Sequence, residues 1–166
     1  MSKRALINLL LLTLVAALAA FLYFVPREEP PAPPVISTIA ADSIDQISIN
    51  RSGQTELRFS RLADGWQMLA PLTAPALPNR IKAILDLLHA RSHAQYDPAE
   101  LDLDSSGLRS PAVILKLNGY EFRFGNATAL ADGRYLLFQN QVYLINDGLY
   151  QQLQQPPEFF VQRSKE

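Results

Sequence analysis

The chain has 166 residues, carries 15 basic and 16 acidic residues, and contains no cysteine. The absence of cysteine excludes a disulfide framework, a thiolate metal site and a cysteine nucleophile. Because Lys3 and Arg4 stand at the N-terminal end, the rest of the chain has 13 basic and 16 acidic residues, a net charge of −3. Such a chain has no positive field to attract phosphates, so we expect no nucleic acid partner.

An apolar segment follows the two basic residues. It runs for 21 residues from Ala5 to Val25, with Asn8 and Thr13 as its clearly polar side chains. At about 1.5 Å per residue, a helix of this length crosses a hydrocarbon core of about 30 Å. Basic residues precede the segment and an acidic pair follows it, so the positive-inside bias predicts a cytoplasmic N-terminus and a domain across the membrane.

A cleaved secretory signal is the alternative, because Ala17-Leu18-Ala19 has the small-x-small form that signal peptidase recognises. The apolar run continues to Val25, however, beyond the point where a secretory signal turns polar. No cysteine follows this run, which excludes a lipoprotein anchor. We therefore predict that residues 1–25 form an uncleaved signal anchor. The protein would then be a single-pass membrane protein with its N-terminus in the cytoplasm and its C-terminal domain outside.

Residues 26–43 are predicted to form a proline-rich linker. Five prolines occur between Pro26 and Pro34, where they fix φ, remove N–H donors and favour extended polyproline II structure. We interpret this segment as a stiff spacer, and a docking site for a proline-recognising module is the alternative.

The domain, residues 44–166, opens with three predicted strands. Apolar and polar residues alternate on both sides of Ser52-Gly53, which predicts a hairpin with one buried face. A third strand follows the Asp64-Gly65 turn and ends at Pro71. The apolar positions of these strands are Ile47, Ile49, Leu57, Phe59, Trp66 and Met68.

One main helix is predicted after a proline-containing break at residues 72–78. Its start is signalled by Pro78 and Asn79, and its apolar residues recur at the spacing of one helical face. That face would carry Ile81, Ile84, Leu85 and Leu88, and the polar face would carry Lys82, Asp86, His89 and His93.

Two further hairpins and a short helix, residues 149–153, are predicted after an acidic, turn-rich connection at residues 97–111. The first hairpin turns at Asn118-Gly119, the strongest hairpin signal in the chain. The second joins residues 135–138 to residues 142–145. The predicted fold class is therefore α+β, with an N-terminal transmembrane helix followed by antiparallel β-meanders packed on one main helix.

Several turn and packing motifs occur in a fixed order along the domain: Asp64-Gly65-Trp66, Pro71, Leu87-Leu88, Ser106-Gly107-Leu108-Arg109-Ser110-Pro111, Phe124-Gly125, Val142-Tyr143-Leu144-Ile145, Pro157 and Phe159. This order resembles a bacterial family known as domain of unknown function 4340, over about residues 44–161. The resemblance implies a fold more specifically than a function. Members of that family look like membrane-anchored envelope proteins, and some occur with gliding-associated or ABC-type transport components. Together with the N-in topology, the resemblance implies a single-pass protein of the bacterial inner membrane with its C-terminal domain in the periplasm. Longer relatives continue into further units, so we expect this chain to be a minimal version.

Two histidines have part of a metal-site pattern. His89 and His93 lie four residues apart on the predicted helix, the spacing at which two imidazoles can share a metal. No glutamate lies between them and no third ligand is signalled. A solvated polar face is therefore the preferred interpretation.

Residues 102–107 imitate the start of a calcium loop. Oxygen ligands could come from Asp102, Asp104 and Ser106, followed by Gly107. Val113 occupies the position that requires a bidentate carboxylate, however, so we predict a polar turn. The carboxylates of the preceding turn, Asp97 and Glu100, are likewise interpreted as solvated.

Other signs of chemistry are missing from the sequence. It contains neither a Gly-x-Ser-x-Gly nucleophile motif nor a glycine-rich phosphate loop. Six aromatic residues could line a ligand cleft, but on alternating strands a core position is the preferred interpretation. They are Phe59, Trp66, Phe122, Phe124, Tyr135 and Phe138.

We therefore predict a noncatalytic, membrane-tethered accessory or scaffold domain that binds another envelope or transport protein. No catalytic, cofactor-binding or metal-binding residue is predicted. The contact surface would be the exposed face of a terminal strand or the tail at residues 156–160. The alternatives are a module that binds a small molecule or glycan, and an enzyme with an unrecognised site.

Overall fold

A computed structural model describes residues 3–24, 33–128 and 133–162. The chain divides into two compact units, Met1–Ala32 and Pro33–Glu166. In the first unit, helix α1 (Lys3–Phe24) is 22 residues long, and its Lys3–Phe21 part is long and apolar enough to cross a membrane. A signal sequence meets the same criteria. The predicted linker from Pro26 to Ala32 lies outside the described residues.

The second unit contains the predicted strands and helices together with two short strands that were not predicted, β4 and β5. Within the described residues nine strands form one antiparallel sheet, in the order β4-β3-β2-β1-β6-β7-β8-β9-β5. The strands are β1 (Gln46–Arg51), β2 (Leu57–Leu62), β3 (Gly65–Ala70), β4 (Ala74–Pro75), β5 (Ala94–Tyr96), β6 (Val113–Leu117), β7 (Tyr120–Thr128), β8 (Gly133–Phe138) and β9 (Gln141–Asn146). The helices are α2 (Pro78–Leu85) and α3 (Gly148–Leu153), with short 3₁₀ turns at Ala41–Ser43, Asp86–His89 and Pro157–Phe159.

The predicted hairpin at Asn118-Gly119 is confirmed, with φ of 47° and 89° at its two central residues. Left-handed values at both positions match the twist of the flanking strands. The Asn118 side chain has a second role, because its Oδ1 accepts hydrogen bonds from the Asp45 and Gln46 N–H groups, each at 2.9 Å. Its Nδ2 donates to the Ser43 carbonyl at 2.7 Å. The turn therefore also fixes the start of β1.

The long-range pairing of β1 with β6 joins the two meanders into one sheet. Ile47 lies opposite Leu117, and Arg51 lies opposite Val113. The same strand β1 pairs with β2 on its other side. No turn signal connects β1 to β6, which is why the sequence predicted the meanders but not their union.

One face of the sheet forms the hydrophobic core with α2. The core residues of α2 include Ile81 and Ile84, as predicted from their spacing. The rings of Phe122 and Phe138 stack on the sheet side with centroids 4.2 Å apart and an interplanar angle of 6°. The apolar N-terminal helix and the antiparallel sheet with few helices agree with the predicted α+β layout.

The main helix is shorter than predicted. α2 ends at Leu85 and is followed by the 3₁₀ turn that ends at His89. His93 lies beyond this turn, and its N–H donates to the Leu144 carbonyl at 2.7 Å. The prediction that His89 and His93 share one helical face is therefore wrong, since the chain has already turned towards β5 at His93.

The segment at residues 33–43 belongs to the second unit. Ile36 is 3% exposed and belongs to the core, and its N–H donates to the Ala90 carbonyl at 3.1 Å. The Ser92 N–H donates to the Pro34 carbonyl at 3.0 Å. This part of the predicted linker thus lies in the compact unit that begins at Pro33.

The connection between β5 and β6 packs against strand β7. Leu108 of this connection is fully buried, and the Asn126 N–H donates to the Ser106 carbonyl at 2.7 Å. A Cβ at Gly125 would collide with the Ser106 carbonyl oxygen and the Leu108 side chain. Glycine at position 125 therefore allows the connection to lie directly on the strand.

Candidate functional site

The calcium-like segment is a self-contained turn. Asp102 Oδ1 accepts a hydrogen bond from the Asp104 N–H at 2.9 Å, and the Asp104 carboxylate pairs with Arg109 Nε at 2.7 Å. The hydrogen bond from the Asp104 backbone, followed by that from Ser105, lowers the pKa of Asp102. These carboxylates thus hold the turn itself. Among the described residues, no group of three or more His, Cys, Asp or Glu side chains could hold a metal ion.

The predicted aromatic set divides between the core and the surface. Four of its members are buried in the core, whereas Trp66 and Tyr135 are partly exposed. An aromatic cleft built from all six is therefore ruled out by their positions. The buried members are Phe59, Phe122, Phe124 and Phe138.

The tail at residues 156–160, predicted as a contact surface, is anchored in the core by Phe160. Phe160 is 1% exposed, and its ring centroid lies 5.8 Å from that of Phe59 in an edge-on arrangement. The Leu77 N–H donates to the Phe160 carbonyl at 2.7 Å, and the Gln162 N–H donates to the Pro75 carbonyl at 3.0 Å. Burial of Phe160 removes a large apolar surface from water and fastens this end of the tail to the domain. Pro156 and Glu158 remain exposed, so the contact surface at residues 156–160 stays a prediction.

A buried arginine on β8 holds the start of the C-terminal segment. Arg134 is 8% exposed. Its guanidinium donates to the Asp147 carboxylate and to the Gly125 carbonyl. The same group lies over the Tyr150 ring, 3.4 Å from its centroid. These contacts replace the hydrogen bonds to water that the guanidinium loses on burial.

Two more arginines contact the same segment further along. Arg51 on β1 is buried and donates to the Gln155 carbonyl at 2.6 Å and the Thr55 carbonyl at 3.3 Å. Its burial lowers the pKa of the Arg51 guanidinium. Arg80 on α2 lies over the Phe159 ring at 3.8 Å. Residues 147–162 are therefore fastened by arginines from β8, β1 and α2, which gives these charged residues a structural role.

The sheet edges offer little open backbone for a partner strand. β4 has two residues and β5 has three. Next to β4, the C-terminal segment forms an antiparallel bridge to the chain, between Val161 and Ala76. Short, covered edges are a common protection against strand addition.

The best candidate for a binding surface is a depression at the β2–β3 hairpin, which we call the Trp66 groove. It is lined by Leu62, Asp64, Gly65, Trp66, Gln67 and Pro75 and has a volume of about 220 Å³. Leu62 is 50% exposed, and Trp66 packs against the core on one side. The Arg61 guanidinium lies 5.4 Å from the Trp66 ring centroid.

The position of Trp66 in this groove follows from its neighbours in the sheet. The Asp64-Gly65 turn places it at the start of β3, opposite Arg61. Its carbonyl accepts a hydrogen bond from the Ala76 N–H at 2.8 Å, which brings Pro75 alongside. The turn and Trp66 can be recognised in the sequence, whereas the wall that Pro75 supplies cannot, since no sequence pattern predicts β4.

Comparison with known proteins finds no match. No protein-family model matches the chain, and no curated protein or solved structure does. The resemblance to domain of unknown function 4340 thus stays an expectation from the motifs themselves.

Proposed function

We propose that this protein is a noncatalytic, membrane-tethered accessory of the bacterial envelope whose second unit binds another envelope or transport protein from the periplasmic side. The observation that carries this proposal is the Trp66 groove, a partly apolar surface on a unit that follows an apolar, membrane-length helix in the same chain.

The composition of the groove supports a protein partner. Tryptophan is enriched among the residues that dominate binding energy at protein interfaces. Trp66 is held by the core on one side, so little side-chain freedom is lost on binding. Asp64 and Gln67 add polar groups, as expected for the rim of an interface.

The size of the groove favours a protein over the alternative of a small molecule or glycan. Its volume of about 220 Å³ is below the roughly 300–1,000 Å³ of typical ligand pockets. A partner that presents one apolar side chain to Trp66 and Leu62 would fill it.

Photo-crosslinking in the native bacterium tests this proposal. A photoreactive phenylalanine analogue is placed at Leu62 or, as a matched control, at Leu69. The two leucines are 50% and 47% exposed, but Leu69 lies in a different depression. We expect one protein adduct of discrete mass from position 62, weakened by Trp66→Ser, and none from position 69.

Three other results would decide against the proposal. Equal adducts from both positions would show nonspecific contact. The absence of any adduct at position 62 would mean that the groove is empty in cells. An adduct with a glycan or small metabolite would support the ligand-binding alternative.

A further inference from the structure

The side chain of Asn8 is a polar group without a partner inside the apolar helix. Asn8 lies three residues inside the segment that begins at Ala5, and its carboxamide makes no hydrogen bond within the described residues. Thr13, the other clearly polar residue of the segment, differs in this respect. Its Oγ1 donates to the Leu10 carbonyl at 2.9 Å within the helix itself.

An unpaired carboxamide is unfavourable in a bilayer. A hydrocarbon core offers no water to replace the missing hydrogen bonds. Asparagine in a membrane helix is accordingly found to donate and accept hydrogen bonds across helix pairs. A hydrogen bond from a second helix would therefore stabilise the Asn8 carboxamide in the membrane.

The helical repeat defines which side chains share a face with Asn8. At 3.6 residues per turn, residues at intervals of three, four and seven fall on one side of a helix. The Asn8 face carries Asn8, Leu12, Val15 and Ala19, and the opposite face carries Leu6, Leu10, Thr13, Ala17 and Phe21. Asn8 is therefore the polar group of an otherwise apolar face, and a second helix that packs on this face meets its carboxamide.

We infer that α1 pairs in parallel with α1 of a second copy of this chain, with the two Asn8 carboxamides hydrogen-bonded to each other. This inference rests on the proposed membrane anchor. Two copies inserted with the same topology place Asn8 at the same depth. A carboxamide has both donors and an acceptor, so two identical groups are complementary.

Pairing with a second copy also brings no like charges together within the apolar segment. Residues 5–25 contain no charged side chain, so no opposite charge is required from the partner helix. The remaining polar requirement is that of Asn8, which its own counterpart satisfies.

Disulfide crosslinking of the full chain in bacterial membranes tests the pairing. The chain has no cysteine, so each single-cysteine variant reports one position. We expect Leu12→Cys and Ala19→Cys to give disulfide-linked dimers on oxidation. The matched controls on the opposite face, Leu10→Cys and Ala17→Cys, should remain monomeric.

The role of Asn8 is tested in the Leu12→Cys background. Asn8→Leu should lower the crosslinked fraction by about three- to tenfold, which corresponds to the strength of such hydrogen bonds in membranes. Asn8→Gln should retain dimers, because it keeps the carboxamide. Thr13→Val should leave them unchanged, since the Thr13 hydroxyl is already bonded to Leu10.

The outcomes separate this inference from the membrane anchor on which it rests. A chain that stays in the membrane after alkaline extraction but crosslinks equally on both faces overturns the pairing alone. An unchanged dimer fraction in Asn8→Leu, as headgroup water around Asn8 would produce, also overturns it, and so does an adduct with a different protein. A chain cleaved after the helix and released from the membrane overturns both.

Discussion

At the scale of single residues, Arg51 and Arg134 are the buried charged side chains among the described residues. Arg134 is held by the Asp147 carboxylate, the Gly125 carbonyl and the Tyr150 ring. Removing one partner of such a pair leaves the other without compensation. Exposed pairs, such as Arg123 with Glu121 at 2.6 Å, contribute little because water and salt screen them.

We expect Arg134→Ala to lower the free energy of unfolding by about 2–4 kcal/mol, somewhat less than for a fully buried pair because Asp147 is partly exposed. The control, Arg123→Ala, should cost less than about 1 kcal/mol. Urea unfolding of a fragment of residues 33–166, followed by the fluorescence of the single tryptophan, measures both. Equal losses in the two variants would show that Arg134 has no special role.

The ionisation of Glu121 should make the free energy of unfolding depend slightly on pH. Hydrogen bonds from Arg123 and then Lys116 lower the pKa of Glu121 below its ordinary value of 4.5, against the opposing effect of burial. The folded state therefore favours the ionised carboxylate. Its contribution is present above about pH 4.5 and is lost as the pH falls through the lowered pKa.

The measurement for Glu121 compares the wild-type fragment with Glu121→Gln at several pH values. The wild type should be more stable at about pH 7 by no more than about 1 kcal/mol, because the group is partly exposed. This advantage should shrink towards zero below about pH 4. An advantage that grows on acidification would contradict the assignment.

At the scale of elements, the C-terminal segment is an integral part of the fold. Phe160 fills the core beside Phe59, while Phe159 is partly exposed beneath Arg80. The two adjacent phenylalanines thus differ in burial. Substitutions at these two positions can therefore test whether the tail is packed into the core in solution.

We expect Phe160→Ala to destabilise the fragment by about 3–5 kcal/mol, the usual cost of emptying a buried phenylalanine site. Phe159→Ala should cost about 1–2 kcal/mol, since less apolar area is lost. Thermal unfolding monitored by circular dichroism measures the two variants. Two nearly silent substitutions would mean that the tail is detached from the core in solution.

At the scale of the whole molecule, the proposed membrane anchor and the second unit should behave as separate parts. We expect residues 33–166 to form a soluble monomer, because their apolar strand and helix residues are already buried together. The full chain should sediment with membranes, and its intact mass should include α1. Protease added to spheroplasts should digest the second unit.

Analytical ultracentrifugation of the fragment and mass measurement of the full chain check these expectations. A mature chain that begins at Ala20 would show that α1 is a cleaved signal, since Ala17-Leu18-Ala19 precedes that residue. Digestion only after the inner membrane is opened would reverse the proposed topology.

The amino-acid sequence by itself determined the local elements of this protein. The apolar run sets the length of α1, and Asn118-Gly119 sets a hairpin through its backbone preferences. The spacing of Ile81 and Ile84 places them on one buried face of α2. Each of these features depends on residues close together in the chain, so pattern and turn chemistry are enough to predict them.

The tertiary structure alone decided which distant segments meet. The side chain of Asn118 bonds to Asp45 across 73 residues, and Arg51 bonds to Gln155 across 104. Contacts between distant segments also produce three other features: the pairing of β1 with β6, the burial of Phe160, and the Pro75 wall of the Trp66 groove. No local periodicity encodes such contacts, because they form only when the whole sheet selects the arrangement that buries the most apolar surface and satisfies its polar groups.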